Sequence, residues 1–317
     1  MFIRGLTMKR KHLLGLQDAS RAEIEEWLDT AEAMREVLSR PIKKTPALRG
    51  QGVCTLFFEP STRTRASFEM AAKTLSADTS SLAVAASSVS KGETLKDTLL
   101  TLAAMGAQCF VIRHGSSGAA HLAASYSGKF GFEFSVVNAG DGWHEHPTQG
   151  LLDLKTIQDH KGRIEGLNVT IIGDLLHSRV ARSNVFGLLT MGANLTLCGP
   201  HTLLPPEFSA MNLRTTTSAD EAVASADVVM TLRLQNERMN GAYLPSVREF
   251  ARLYGLNAAR LRLAKPDAIV MHPGPINRGV EISDEVADGP QSVILNQVTN
   301  GVAVRMAVLY HLLGGEK

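Results

Sequence analysis

The chain carries almost no surplus charge: 33 lysines and arginines stand against 31 aspartates and glutamates, a formal net charge of +2. The two signs are interspersed, which excludes a broad nucleic-acid or membrane-binding face and leaves local basic clusters suited to small anions. Cysteine is nearly as scarce. Cys54, Cys109 and Cys198 are the only three, too few and too scattered for a disulfide framework, and no Cys/His spacing fits a zinc site. Each lies in an apolar run, which predicts buried thiols in a reducing compartment and a cytoplasmic protein. No apolar run approaches the ~20 residues that a membrane span requires. The basic start, Met1 to Leu16, lacks the sustained apolar core and small-residue cleavage site of a signal peptide, and Met8 would serve equally well as the first residue. Fixed-period repeats and low-complexity tracts are missing as well.

What is present is ordinary globular composition, 44% hydrophobic and 20% charged, over 317 residues. That length exceeds one usual hydrophobic core and predicts two domains. Ser20 and Glu23 form a capping-box pair before Ile24, Trp27, Leu28, Ala31, Met34 and Leu38, an apolar stripe at helical spacing. Strand-like runs then alternate with helical stretches: strands at 53–58, 82–85, 109–113 and 135–138, with helices at 61–75, 93–105 and 118–130. The second half repeats the rhythm, with strands at 169–172, 195–198, 228–232 and 268–271, a helix at 179–191 and a closing helix at 297–313. This order predicts an α/β protein of two similar-sized domains, each a parallel sheet flanked by helices. The boundary falls inside the helix that begins near Thr148, giving domains over 1–150 and 151–296. In such sheets ligands bind beyond the carboxyl ends of the strands, so residues that follow strand runs hold the interest.

The first such run ends in Phe57-Phe58-Glu59-Pro60-Ser61-Thr62-Arg63-Thr64-Arg65. A strand stops at a proline, and hydroxyls and guanidinium groups arrive as a helix opens. Free N–H groups and the positive end of the helix favour an oxyanion there, by about 0.3–1 kcal/mol from the dipole at an exposed site. Ser61, Thr62 and Thr64 add hydroxyl donors, and Arg63 adds a planar fork. A capped helix with exposed arginines is the plainer alternative, but two cations in a first turn oppose the dipole unless an anion lies between them. Arg113 closes the run Val111-Ile112-Arg113, and His146 and Gln149 sit three apart in His146-Pro147-Thr148-Gln149, with Pro147 suited to the first helical position. The remaining histidines of the region, His114, His121 and His144, read as structural.

The string Ser61-Thr62-Arg63-Thr64-Arg65, followed by Ser67-Phe68-Glu69, resembles the carbamoyl-phosphate signature of the aspartate/ornithine carbamoyltransferase family, and matching motifs recur in order over nearly the whole chain. The resemblance implies a carbamoyl-phosphate-binding domain over 1–150, joined by the C-terminal helix 297–317 as it returns, and an acceptor-binding domain over 151–296. It implies that Ser61, Thr62, Arg63 and Thr64 bind the phosphate. Arg113, His146 and Thr64 approach the carbonyl oxygen, Gln149 meets the carbamoyl amine, and backbone carbonyls at Gly274 and Pro275 accept from that amine. Arg63, Thr64, Arg113 and His146 form the catalytic group, with donors where negative charge develops.

An acceptor with two carboxylates needs fixed cations, and the second half offers Arg179 after Ile172-Gly173-Asp174 and Arg233 after Val228–Leu232. Arg233 and Gln235 would share a face if that strand continued. By resemblance Arg179, Arg233 and Gln235 hold the carboxylates of L-aspartate. Ser87 and Lys91 match a loop that reaches into a neighbouring subunit's site, with Lys91 also touching aspartate, which implies a homotrimer. Glu237 and Arg238 resemble a pair that helps close the domains. The implied reaction is carbamoyl transfer from carbamoyl phosphate to L-aspartate, the committed step of pyrimidine synthesis, without metal, flavin or nicotinamide. Ornithine, a cationic acceptor, is badly matched to these arginines, and neither His-Cys-Leu-Pro nor Ser-Met-Gly is present. A nicotinamide-dependent fold is disfavoured because Val169–Asp174 lacks the remaining glycines of the dinucleotide fingerprint, and an inactive scaffold because the expected polar positions are all filled. A free trimer, a complex with regulatory chains and one with dihydroorotase all remain compatible with the resemblance.

Overall fold

The computed structural model describes residues 10–83, 93–211, 213–234, 243 and 246–314. The chain divides into two compact units, one built from residues up to Leu152 and from Thr299 onward, the other from Asp153–Val298.

The first unit contains α1 (Arg21–Ser39), β1 (Gly52–Phe57), α2 (Thr62–Thr74), β2 (Asp78–Ala83), α3 (Leu95–Ala104), β3 (Cys109–His114), α4 (Ala119–Ala124) and β4 (Ser135–Asp141), and then the start of α5 (Pro147–Lys161). Its four strands lie in the order β2-β1-β3-β4, all parallel. The capping box forms as the sequence predicts, with Ser20 accepting from Glu23 N–H. Ile24, Trp27, Leu28, Ala31 and Met34 are buried, while Val37 rather than Leu38 completes the inward stripe. One side of the sheet packs Leu56, Phe110, Ile112, Phe134 and Val136 with Leu99 of α3 and Ala120 and Ala123 of α4. Phe110 and Phe134 meet edge-on at 5.0 Å.

The second unit takes up α5 from Asp153 and adds β5 (Asn168–Ile172), α6 (Arg179–Thr190), β6 (Asn194–Cys198), α7 (Glu207–Ala210), β7 (Arg214–Thr216), α8 (Ala219–Val223), β8 (Val228–Thr231), α9 (Val247–Tyr254), α10 (Ala258–Leu261), β9 (Ile269–Met271) and α11 (Asp284–Ala287). Its five strands run parallel in the order β7-β6-β5-β8-β9. The last helix, α12 (Ile294–Leu313), begins in this unit and ends in the first. Within the first unit it packs against α1, where Thr30 Oγ1 and His311 Nε2 lie 2.8 Å apart. The expected return of the C-terminal helix is therefore present.

Several elements differ from the sequence reading. The helix expected over 118–130 stops at Ala124, because Gly128, Phe130 and Gly131 all take positive φ and turn the chain instead. The strand expected to run to Leu232 ends at Thr231, and β7, only three residues long, was not anticipated. All three cysteines are buried and unbridged, as their apolar surroundings require. Burial pushes the thiols of Cys109 and Cys198 up to about 12, so both are inert neutral groups. Among the described residues no helix is long and apolar enough to cross a membrane.

Candidate active site

In the first unit, β1, β3 and β4 are neighbours and parallel, so their carboxyl ends form one edge of the sheet. Ser61–Thr64 follow β1, Arg113 is the penultimate residue of β3, and His146 and Gln149 follow β4. One parallel register thus brings three separate sequence motifs to the same edge.

Each motif has a local cause. Ser61 occupies the N-cap of α2, yet its side chain makes no capping hydrogen bond, and the first turn holds no acidic residue. The positive helix end is thus left to its two arginines, of which Arg63 is exposed and Arg65 leans 3.8 Å from Glu69. Arg113 lies beside an irregularity in the β3–β4 ladder. Ile112 pairs with Asn138 and His114 with Asp141, so two steps on β3 span three on β4 (114 − 112 = 2; 141 − 138 = 3). The extra residue bends β4 at Gly140, whose φ is +111°, and presents the Ala139 carbonyl to Arg113 Nη1 at 3.3 Å. Arg113 Nε also lies 3.5 Å from Glu59 Oε2, across the ends of the paired strands β1 and β3. These contacts hold a half-buried guanidinium in place.

His146 is buried at the entrance of α5, where its carbonyl accepts from the N–H groups of Gln149 and Gly150. Pro147 takes the first helical position, as its fixed φ and missing N–H favour. The loop before it is built around Asp141. This buried carboxylate accepts from Asn138 Nδ2 at 2.7 Å, Gly118 N–H at 2.7 Å and Glu145 N–H at 3.2 Å, with His144 Nδ1 at 3.1 Å. Burial by itself would raise the Asp141 pKa, but the bonds from His144, Asn138 and Gly118 outweigh it and hold the carboxyl below its usual range. Glu145 ties the same loop to the N-terminal segment by accepting from Leu16 N–H at 2.8 Å and Gln17 N–H at 3.3 Å. The long-range part of this support is not encoded in local spacing, since Gly118 lies 23 residues from Asp141 and Leu16 lies 129 from Glu145.

The fold also gathers His121, Asp141 and His144, whose ligating atoms lie within 4.8 Å of one another. The sequence reading left both histidines as structural, and His121 comes from α4, twenty residues from Asp141, so spacing gave no hint. The hydrogen bonds to Asp141 make this a structural network, with His121 and His144 edge-on at 5.2 Å.

In the second unit the same principle operates on β5, β8 and β9, again adjacent and parallel. Arg179 follows β5 as the first residue of α6, buried to 4% exposure, behind Ser178, which caps the helix by accepting from Ala181 N–H at 3.1 Å. Asp174 and His177 shape the approach, with His177 Nδ1 3.0 Å from both carboxylate oxygens and its N–H donating to Oδ1. Burial raises the Asp174 pKa despite those bonds. Arg233 lies two residues past the end of β8 and is half-buried. Because the strand stops at Thr231, the face it was expected to share with Gln235 does not come from strand geometry, and Gln235 itself lies outside the described residues. Ser87, Lys91, Glu237 and Arg238 also lie outside them. Gly274 and Pro275 follow β9 in a turn joined by a cis peptide bond, with Gly274 at φ +65°.

Comparison with known proteins follows the same division. The carbamoyl-P binding domain profile of aspartate/ornithine carbamoyltransferases matches residues 11–159, and the Asp/Orn binding domain profile matches residues 165–312. The chain belongs to the aspartate/ornithine carbamoyltransferase family. Within it, the chain is 57% identical over 310 residues to the aspartate carbamoyltransferase catalytic subunit of Heliobacterium modesticaldum, covering 98% of each chain. It is 58% identical over 305 residues to that of Pelotomaculum thermopropionicum, covering 96% of this chain and 97% of the relative. Among solved structures of the family, aspartate transcarbamoylase from Trypanosoma cruzi in complex with N-(phosphonacetyl)-L-aspartic acid superposes with a TM-score of 0.87 at 33% identity, covering 98% of both chains. Ornithine carbamoyltransferase from Pyrococcus furiosus superposes with 0.85 at 29% identity, covering 97% of this chain and 98% of that one. Both acceptor classes of the family share this fold, so the fold alone does not choose between them. That choice rests on side chains.

Proposed function

We propose that this chain carbamoylates L-aspartate with carbamoyl phosphate, releasing N-carbamoyl-L-aspartate and phosphate, and so commits carbon to pyrimidine synthesis in the cytoplasm. The observation that carries the reading is the opening of α2: Ser61, Thr62, Arg63 and Thr64 at the end of β1, with an uncommitted N-cap hydroxyl and no acidic residue in the first turn. That arrangement suits a phosphate dianion. The phosphate end belongs to the first unit and the aspartate end to the second.

Ser61, Thr62, Arg63 and Thr64 bind the phosphate. Arg113, His146 and Thr64 donate toward the carbonyl oxygen, where negative charge grows as the amine nitrogen attacks the carbon. Gln149 and the carbonyls at Gly274 and Pro275 accept from the carbamoyl amine. Arg179, Arg233 and Gln235 hold the two carboxylates of aspartate, with Lys91; a unit-charge pair at ~4 Å contributes about 4 kcal/mol at an effective dielectric near 20, before desolvation costs. The new C–N bond forms as the C–O bond to phosphate breaks, and phosphate takes the amine proton. Ser87 and Lys91 act from an adjacent subunit in a homotrimer. Two arginines directed at the acceptor favour aspartate over ornithine, in keeping with relatives at 57–58% identity that are aspartate carbamoyltransferases.

The purified protein should form carbamoyl-aspartate from the two substrates, and its intact mass should be unchanged after incubation with carbamoyl phosphate alone. A stable carbamoyl adduct on the protein would overturn direct transfer.

A further inference from the structure

The turn after β9 is set by one buried imidazole. His272, 1% exposed, accepts the N–H of Gly274 on Nδ1 at 2.8 Å. A backbone amide can only donate, so Nδ1 must present its lone pair and the ring proton must sit on Nε2. That nitrogen faces Glu281 Oε1 at 3.1 Å, and Glu281 is likewise 1% exposed. The same oxygen accepts from Asn277 N–H at 2.5 Å, which closes the loop between the two side chains. The main chain of His272 is fixed independently: its N–H donates to Gln297 Oε1 at 2.9 Å, and Gln297 Nε2 donates to Asp153 at 2.8 Å.

We infer that Glu281 is a positioning residue, which acts through His272 in its neutral Nε2–H tautomer to fix the Gly274 N–H and thereby the direction of the Gly274 and Pro275 carbonyls. The inference rests on the proposed function, in which those carbonyls receive the carbamoyl amine. The reason for a carboxylate at this place is chemical. Ionised Glu281 is an acceptor on both oxygens, so only an Nε2–H ring can face it. A glutamine could also present its NH2, which would turn the ring to the Nδ1–H tautomer and set that proton against the Gly274 N–H. The buried carboxylate thus excludes the wrong tautomer. Packing alone would not call for a buried carboxyl group whose second oxygen, Oε2, finds no hydrogen-bond partner among the described residues.

In the sequence Gly274 stands between two prolines, Pro273 and Pro275. Yet Gly274 at φ +65° has no ring of its own to fix it; His272 accepts its N–H, and Glu281, which faces the other ring nitrogen, lies nine positions further along the chain.

The test begins with the full-length wild-type chain labelled with 15N-histidine, using H272N to assign the resonance. Long-range proton–nitrogen spectra at neutral pH should show His272 with an unprotonated Nδ1 and a protonated Nε2. The Nδ1–H tautomer or an imidazolium would overturn the inference without touching the proposed reaction. In E281Q, which is nearly isosteric, the single tautomer should give way to a mixture, and KM for carbamoyl phosphate should rise by about tenfold, the scale of one misdirected hydrogen bond. KM for aspartate should stay within about twofold over the same range. A pure tautomer in E281Q, an unchanged KM, or equal rises in both constants would show Glu281 to be merely structural. Wild-type protein that makes no carbamoyl-aspartate would sink the proposed function instead, while the tautomer measurement would still stand.

Discussion

The guanidinium of Arg113 and the carboxylate of Glu59 meet at 3.5 Å across the ends of two paired strands. Arg113 is therefore aimed before any substrate arrives, by Glu59 on one side and by the Ala139 carbonyl on the other. Replacing it with lysine keeps the charge but loses the planar fork. R113K should lower kcat by about 10²–10³, the usual effect of removing one oxyanion donor. E59Q should lower it by about tenfold, with the donor still present but less well aimed. Steady-state kinetics alongside thermal melts separate both effects from unfolding. Full activity in R113K would remove Arg113 from the oxyanion group.

Arg179 and Arg233 are expected to serve the acceptor alone. R179A and R233A should each raise KM for aspartate by about 10²-fold, as truncating one member of a desolvated charge pair does. Carbamoyl phosphate affinity, followed by direct titration, should be nearly unchanged in both.

Asp141 holds together the loop that carries His146. D141A would leave the donors on Asn138, Gly118 and Glu145 without their acceptor, at a cost of about 2–4 kcal/mol. The pH dependence has a definite sign. Its folded pKa is depressed, so its contribution is present above the unfolded value of 3.8 and is lost as pH falls through the lower folded value. Urea titrations from pH 5 downward should show the wild type losing stability in that range and D141N losing less.

A second acid-sensitive group is legible at higher pH. His12 accepts from Val136 N–H on Nδ1, and burial followed by the charge of Lys11 lowers its pKa from 6.5 to about 4. Between those values the unfolded chain binds a proton that the folded chain does not, so stability falls as pH drops from 6.5 to 4. His311 is shifted in the same direction, mainly by burial. In H12N the loss of melting temperature over this window should be smaller but still present.

If sites are shared between subunits, mixing K91A chains with R63A chains should restore activity that neither has alone. Persistent inactivity of the mixture would favour self-contained sites.

The alternation of strands and helices, and hence both parallel sheets, was readable because each strand is a short apolar run bounded by turn residues. The ends were less readable. The helix after Gly118 was drawn too long because Ala119–Phe130 keeps an apolar pattern that the positive φ of Gly128, Phe130 and Gly131 overrides. β7 escaped notice because Arg214-Thr215-Thr216 has no apolar signal, being an edge strand whose ladder to β6 supplies the order. At the candidate site, Ser61–Thr64, Arg113, His146, Arg179 and Arg233 announced themselves as polar groups after strands. Their supports, Glu59, the bend at Gly140, Asp141 and the His272–Glu281 pair, did not, because each depends on contacts that spacing alone does not encode.

The most direct measurement is a competition: purified protein, carbamoyl phosphate and equal concentrations of L-aspartate and L-ornithine, with both carbamoylated products quantified together. Carbamoyl-aspartate should exceed citrulline by at least about 10³-fold, since ornithine brings one carboxylate where aspartate brings two and would set a cation against an arginine left without its partner. Comparable amounts of the two products, or citrulline in excess, would contradict an acceptor site built from those arginines.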